Sequence, residues 1–363
     1  MKLGVFCLLP QRDSGTPAPE VFANAVEQVK LAEDIGIDIA WFAEHHFSNY
    51  CLCVSPLVMA AYCAGQTTRI RLGTGVVVLP LYDPIRLIEE IATVDVMSGG
   101  RLVLGIGSGY QAYEFERFGH TLDESIDRSL EMLDMMELAF TQDTFSYDGK
   151  YYQQPPTSLS IKPLQKPMPE VYVAGMMRDE RMRKRMVENR YVPLAQPRWG
   201  PASMMVDTRR DFEEMYRKYG KDDSDVPMAV LRWLNVTESE EESLSAAEAL
   251  RYTYRVALAC RGGYQQMDGA VHREIKAEGE TSLEIMAEYA HVGSVEKITN
   301  QIAEEIETYH PSHICFSMGM GDHTRTMRSL EKLGSEIIPG VERRLGPLDA
   351  IRTGNDAAAP PTS

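Results

Sequence analysis

Glu44, His45 and His46 follow directly on the apolar run 39–43 and are the residues best placed to move protons. An apolar run that stops at an acid and two histidines is how a buried parallel strand delivers chemical groups to the rim of a sheet or barrel. Adjacent side chains cannot point the same way, so one histidine is expected to face a cavity while the other packs or hydrogen-bonds behind it. An imidazole facing a cavity gives or takes a proton near neutral pH. A pair of satisfied surface histidines would account for the same residues, but their place at the end of a strand favours chemistry. Zinc does not account for the pair, because no third and fourth ligands follow at suitable spacing. Cys51 and Cys53 also lack a second pair, so the six cysteines read as ordinary reduced thiols, and no metal is expected.

Three further segments could receive a flat or phosphorylated ligand. Thr74, Gly75 and Val76 lie in the β-branched run 70–79, where glycine in a strand marks close approach of something to the backbone. Gly107, Ser108, Gly109 and Tyr110 follow the strand 101–106. They do not form a dinucleotide fingerprint, since 110–123 reads as a polar loop and not as a capped helix starting at once. What remains is backbone without side-chain bulk at a rim, although tight turns use the same glycines. Val173, Ala174, Gly175, Met176, Met177 and Arg178 carry another strand into a helix. Free amides at a helix start, with Arg178 beside them, suit a phosphate, and a plain connection would look the same.

The elements that must hold these residues alternate along the chain. Short apolar runs at 2–9, 37–43, 70–79, 101–106, 170–174, 191–195, 227–236 and 313–317 are separated by amphipathic segments. Eight strands, each followed by a helix or a helix-bearing segment, predict an α/β fold, a (β/α)8 TIM barrel with insertions. A doubly wound open sheet is the alternative topology. On a barrel, Tyr110, Arg198, Trp199 and Ser317 also fall at strand ends and would shape a substrate pocket. A hairpin is expected about the Asp-Gly turn at 148–149. Residues 257–290 read as a glycine-rich, irregular lid. Residues 1–346 form one domain, and 347–363 a disordered tail.

The 363 residues carry a formal charge of −16, which argues against nucleic acid or an anionic membrane as partner. The N-terminal apolar run stops at Pro10 and Arg12, too short for a signal or a membrane span, so a cytoplasmic protein is expected.

Residues 43–47 (Ala-Glu-His-His-Phe), 73–80, 95–109, 115–119 and 292–296 together resemble the bacterial luciferase-like family of flavin-dependent monooxygenases. Their order and spacing over most of the chain carry the resemblance. It implies reduced FMN, supplied by a separate NAD(P)H-dependent flavin reductase, and O2. These would form a flavin hydroperoxide that oxidises a small substrate such as an aldehyde, ketone or sulfur compound. It implies that His45, next to Glu44, is the acid/base near the flavin. Gly75 and Val76 match the pair beneath the isoalloxazine ring, joined by a cis peptide in several members. Gly107 and Ser108 stand where luciferases have a reactive cysteine and a phosphate-binding arginine, so light emission is not expected. Gly175, Met176 and Met177 replace an acid or serine used on the flavin phosphate, which leaves backbone amides with Arg178 or Arg128. A homodimer or higher oligomer is expected. A deazaflavin-dependent oxidoreductase of the same fold, and a non-catalytic partner subunit, are the rival readings.

Overall fold

In the computed structural model the described residues are 1–12, 15–224, 226–318 and 322–351. The chain opens with β1 (Lys2–Cys7), and α1 (Ala18–Asp34) returns along it with Val21, Ala25, Val29 and Ala32 turned inward at helical spacing. β2 (Ile39–Phe42) is buried throughout. α2 (Pro56–Ala64) starts where Ser55 accepts from the Val58 amide and Pro56 fills a position that needs no amide hydrogen. Then come β3 (Arg71–Thr74), β4 (Val77–Val78), α3 (Pro84–Met97) and β5 (Leu102–Gly107). α4 (Ala112–Arg117) and α5 (Ser125–Thr141) complete the first half.

An antiparallel hairpin, β6 (Phe145–Asp148) and β7 (Gln153–Thr157), precedes β8 (Glu170–Ala174) and α6 (Glu180–Asn189). β9 (Val192–Arg198), α7 (Met204–Lys218), β10 (Ala229–Val236) and α8 (Glu240–Gly262) follow. An insert then carries the hairpin β11 (Gln266–Asp268) and β12 (Val271–Arg273), the helix α9 (Leu283–Tyr289) and the short strand β13 (His291–Gly293). α10 (Val295–Tyr309), β14 (His313–Ser317) and α11 (His323–Lys332) lead through a π-helical stretch, Leu333–Ile337, into α12 (Ile338–Leu345).

Eight parallel strands close in the order β1, β2, β3, β5, β8, β9, β10, β14, with β14 returning to β1. This is a (β/α)8 barrel, and its interior is packed solid. Ile39, Trp41, Val103, Tyr172, Val192, Leu194 and Cys315 fill it, and His313 lies tilted against Trp41 and edge-on to Tyr172. Trp41 pairs in register with Gly73, and a Cβ at Gly73 would collide with the indole ring. What approaches that strand is therefore a core side chain.

Several sequence expectations need correction. The single strand expected over 70–79 is broken by a cis peptide at Gly75-Val76 into β3 and β4. The polar loop expected after Tyr110 contains α4. The lid expected to be irregular over 257–290 is built of the end of α8, a hairpin and α9. In the tail, Leu348–Ala350 form a 3-10 turn with Leu348 buried, and the Met1 ammonium donates to the Leu348 carbonyl at 2.7 Å. Residues 352–363 of the expected tail lie outside the described residues. No helix of the described residues is long and apolar enough to cross a membrane.

Candidate active site

β2 pairs with β1 and β3 and delivers residues 43–46 to the C-terminal mouth of the barrel. The His45 side chain keeps 12 % of its surface exposed. Its Nδ1 lies 2.8 Å from the Gln111 amide nitrogen and 3.1 Å from Glu114 Oε1, while Nε2 has no partner among the described residues. Glu114 Oε1 also accepts from the His46 amide at 2.8 Å, so one buried carboxylate oxygen fixes both ring and backbone. A carboxyl oxygen accepting from Nδ1 corresponds to the tautomer with hydrogen on Nδ1, which leaves Nε2 the acceptor facing the mouth.

Glu44 points away from that mouth. Its carboxylate takes hydrogen bonds from Tyr82 Oη at 2.8 Å and the Val78 amide at 3.3 Å, and pairs with His46 Nε2 at 3.1 Å. Burial pushes its carboxyl up from the ordinary range, and those three partners oppose the shift. The same burial, with Glu44 beside it, pushes the Tyr82 hydroxyl up. The catalytic place expected for Glu44 is thus corrected to a clamp between the end of β2 and β4 with the turn that follows it. His46 packs behind His45 as expected, its ring edge-on to Phe118 at 4.8 Å.

The mouth has a half-buried apolar floor of Phe6, Gly75, Val76 and Ala174. A Cβ on Gly107 would lie 2.7 Å from Val76, so glycine there lets β5 pass beneath the floor. A flat, largely apolar ring fits such a surface. Other expected contacts do not reach it. The Thr74 hydroxyl is buried and donates to the Gly105 carbonyl at 2.7 Å. Val173 and Met176 are buried in the core between barrel and helices. Ser108 and Ser317 are nearly closed to solvent, whereas Gly109 and Tyr110 stay half-exposed at the rim. Trp199 stands edge-on to Tyr254 at 4.6 Å. The Arg198 side chain lies outside the described residues.

At the expected phosphate site, Gly175 and Arg178 are exposed and Met177 is half-buried. The free amides expected at the start of α6 are partly taken: Asp179 Oδ1 accepts from the amides of Arg181 at 2.9 Å and Met182 at 3.3 Å. Arg181 holds the Asp179 carboxyl below the usual range and also pairs with Asp127 at 2.8 Å. Arg128 is engaged by Glu124 at 2.9 Å and lies over the Tyr151 ring. A cavity of about 480 Å³ adjoins this mouth through Phe6, lined by Leu9, Gln11, Asn24 and Gln28.

Sequence reasoning named Tyr110 but missed Gln111, Glu114 and Tyr50 around His45. The His45 ring lies 4.7 Å from Tyr50 and 5.7 Å from Tyr110, and the Arg261 guanidinium lies over Tyr110 at 5.0 Å. Phe115-Glu-Arg-Phe-Gly119 was a visible motif, and Glu114 immediately precedes it.

A closed parallel barrel with a hydrogen-bonded histidine and an apolar floor at its C-terminal mouth has the architecture of an α/β-barrel enzyme. Residues 1–311 match the luciferase-like monooxygenase family, and the chain belongs to it. It is an oxidoreductase of the monooxygenase class with a flavin-type cofactor. An uncharacterized protein of Sinorhizobium fredii is 36% identical over 96% of this chain and 100% of its own length. The oxygenase component of flavin-dependent trigonelline monooxygenase from Acinetobacter baylyi is 26% identical over 97% and 100%. The oxygenating constituent of 3,6-diketocamphane monooxygenase from the CAM plasmid of Pseudomonas putida, solved with FMN, superposes with TM-score 0.77 at 20% identity, over 94% of this chain and 98% of that one. An F420-dependent secondary alcohol dehydrogenase shares the fold with TM-score 0.70 at 19% identity, over 94% and 98%.

Proposed function

We propose that the chain is the oxygenase component of a two-component system. It takes reduced FMN from a separate NAD(P)H-dependent flavin reductase and uses O2 to oxygenate a small organic substrate such as an aldehyde, ketone or sulfur compound. The observation that carries this reading is His45: its Nε2 is open at the mouth beside the Gly75-Val76 floor, and its Nδ1 is held by the buried Glu114. The flavin ring would rest on Phe6, Gly75, Val76 and Ala174, with its phosphate on the amides of 175–178 and Arg178. Bound and reduced, the flavin supplies the electrons that activate O2. His45 holds or moves the proton at Nε2, while Tyr50, Tyr110 and Trp199 exclude water.

The F420-dependent neighbour favours a second reading, in which a reduced deazaflavin transfers hydride and no oxygen enters the product. Anaerobic titration of the purified chain with reduced FMN and with reduced deazaflavin separates the two. The oxygenase reading expects tighter binding of FMN, followed on aeration by a product heavier by one oxygen atom. Deazaflavin binding alone would overturn it. The open His45 also speaks against a merely supporting subunit. Self-association, as a homodimer or larger, is supported by the exposed stripe Val54, Val58 and Tyr62 on and beside α2. Light scattering of Val58→Glu beside the unchanged chain tests that contact, and a cytoplasmic location accompanies the reading.

A further inference from the structure

The insert ends its hairpin against the barrel mouth at His272. This imidazole is 6 % exposed; its Nε2 lies 3.8 Å from the Cys260 sulfur of α8, and Nδ1 meets no partner among the described residues. Its ring stands edge-on to Tyr50, 6.5 Å between centroids, and Tyr50 in turn lies 4.7 Å from His45. Asn49 holds the hairpin in this place. The Asn49 amide donates to the Ala270 carbonyl at 2.8 Å, and its Oδ1 accepts from the His272 amide at 2.9 Å. Its Nδ2 donates to the Gln11 carbonyl at 3.0 Å, and its own carbonyl accepts from the Gln11 amide at 3.0 Å. One buried side chain thus ties the insert to the loops after β1 and β2. A buried imidazole whose one polar ring partner among the described residues is a thiol costs stability that an apolar residue would not, so packing alone does not explain the choice of histidine.

We propose that His272 is a second acid–base residue of the site, delivered by the insert to the space in front of His45, and that Asn49 is the residue that positions it. The inference rests on the reading of His45 as the proton carrier beside a flavin. In this role Nδ1 takes one proton from a substrate oxygen, or returns it, while Nε2 stays against the thiol; no bond other than N–H and O–H changes. The groups facing His272 are Cys260 on α8, His45 and Tyr50 on the loop after β2, and Glu114 on α4. Asp268 and Arg273, 3.7 Å apart, lie on the hairpin itself. Burial, with His45 nearby, holds the imidazole below the ordinary histidine range, and Glu114 acts in the opposite sense. Burial also pushes the Cys260 thiol up to about 12, so the pair is a neutral imidazole beside a neutral thiol. At neutral pH His272 is therefore a base.

The test follows the ring resonances of His272 by NMR across pH in the full chain. Alongside it runs the pH dependence of oxygenation of a panel of aldehydes and ketones with reduced FMN and O2, with the protein unchanged and as His45→Gln, His272→Gln and Asn49→Ala. His45→Gln is expected to raise the His272 midpoint by about 0.3 pH unit or more, because a like charge has been removed. His272→Gln is expected to delete one limb of the pH profile. Asn49→Ala should speed hydrogen exchange at the His272 amide about tenfold or more and weaken the same limb. A His272 midpoint indifferent to His45→Gln, or a His272→Gln profile with both limbs intact, overturns the proposal. If His272→Gln does not fold, His272→Asn takes its place. Should the unchanged chain fail to bind reduced FMN, the flavin reading falls, and the NMR titration still decides whether the two imidazoles share one space.

Discussion

His45 carries two polar neighbours on one nitrogen, and they make opposite demands. Nδ1 can donate to Glu114 or accept from the Gln111 amide, and only the first leaves Nε2 basic toward the mouth. Glu114→Gln replaces an obligate acceptor with an amide that can donate, which permits the wrong tautomer. Turnover is expected to fall about 100-fold, as when a general base loses its orienting acid, with flavin affinity changed less than about threefold. Equal turnover in steady-state assays would refute the role. Glu44→Ala is expected to behave differently. It strands the Tyr82 hydroxyl, the Val78 amide and His46 Nε2, so urea unfolding should show a loss of about 3 kcal/mol. Its effect on chemistry should be smaller than that of Glu114→Gln. The acid and two histidines were legible in sequence because they end an apolar run. Glu114 was not, because it lies 69 residues from His45 on a six-residue helix with no side-chain cap, too short to show a period.

Elements with a strong local signal were readable and those made by contact were not. Barrel strands buried on both faces read as continuous apolar runs, and Ser55, Asp179 and Ser294 announce their helices by accepting from the amides that follow. The three-residue strands β11 and β12 have no such signal, since their place depends on hydrogen bonds to Asn49. The far end of the insert is tied by a buried cation instead. Arg232 on β10 pairs with Glu305 of α10 at 2.6 Å and donates to the carbonyls of Gly200 and Tyr289. His291 of β13 lies 3.2 Å from the same carboxylate and is held by burial below the ordinary histidine range. Breaking a buried pair from one side leaves a buried charge, at a cost of about 3–5 kcal/mol. Arg232→Met is therefore expected to lower the unfolding free energy by that much, with a lower denaturation midpoint, and to speed amide exchange across α9 and β13. An unchanged midpoint would show that the pair adds nothing.

At the scale of the molecule, strand count and order predict the barrel, but its interior follows from which residues face one another after closure. Gly73, in the glycine-bearing run 70–79 that signalled a close approach to the backbone, makes room for Trp41. His313, in an apolar run, gave no sign that it would stand in the barrel core against Trp41 and Tyr172. Burial there depresses its pKa from the ordinary 6.5 to about 3, with the charges of Lys2 and Arg71 adding to the effect and Glu170 opposing it. The folded chain keeps His313 neutral while the unfolded chain takes up a proton below about pH 6.5. The contribution is thus fully present above that value and is lost as pH falls toward 3. Each pH unit inside the window removes about 1.4 kcal/mol for one proton. His313→Leu fills similar space and cannot titrate. Between pH 6 and 4 its unfolding free energy should fall by about 2 kcal/mol less than that of the unchanged chain. Parallel losses in urea melts at the two pH values would mean that His313 is protonated inside the folded barrel. The solid, neutral plug beneath the active-site floor would then have to be abandoned.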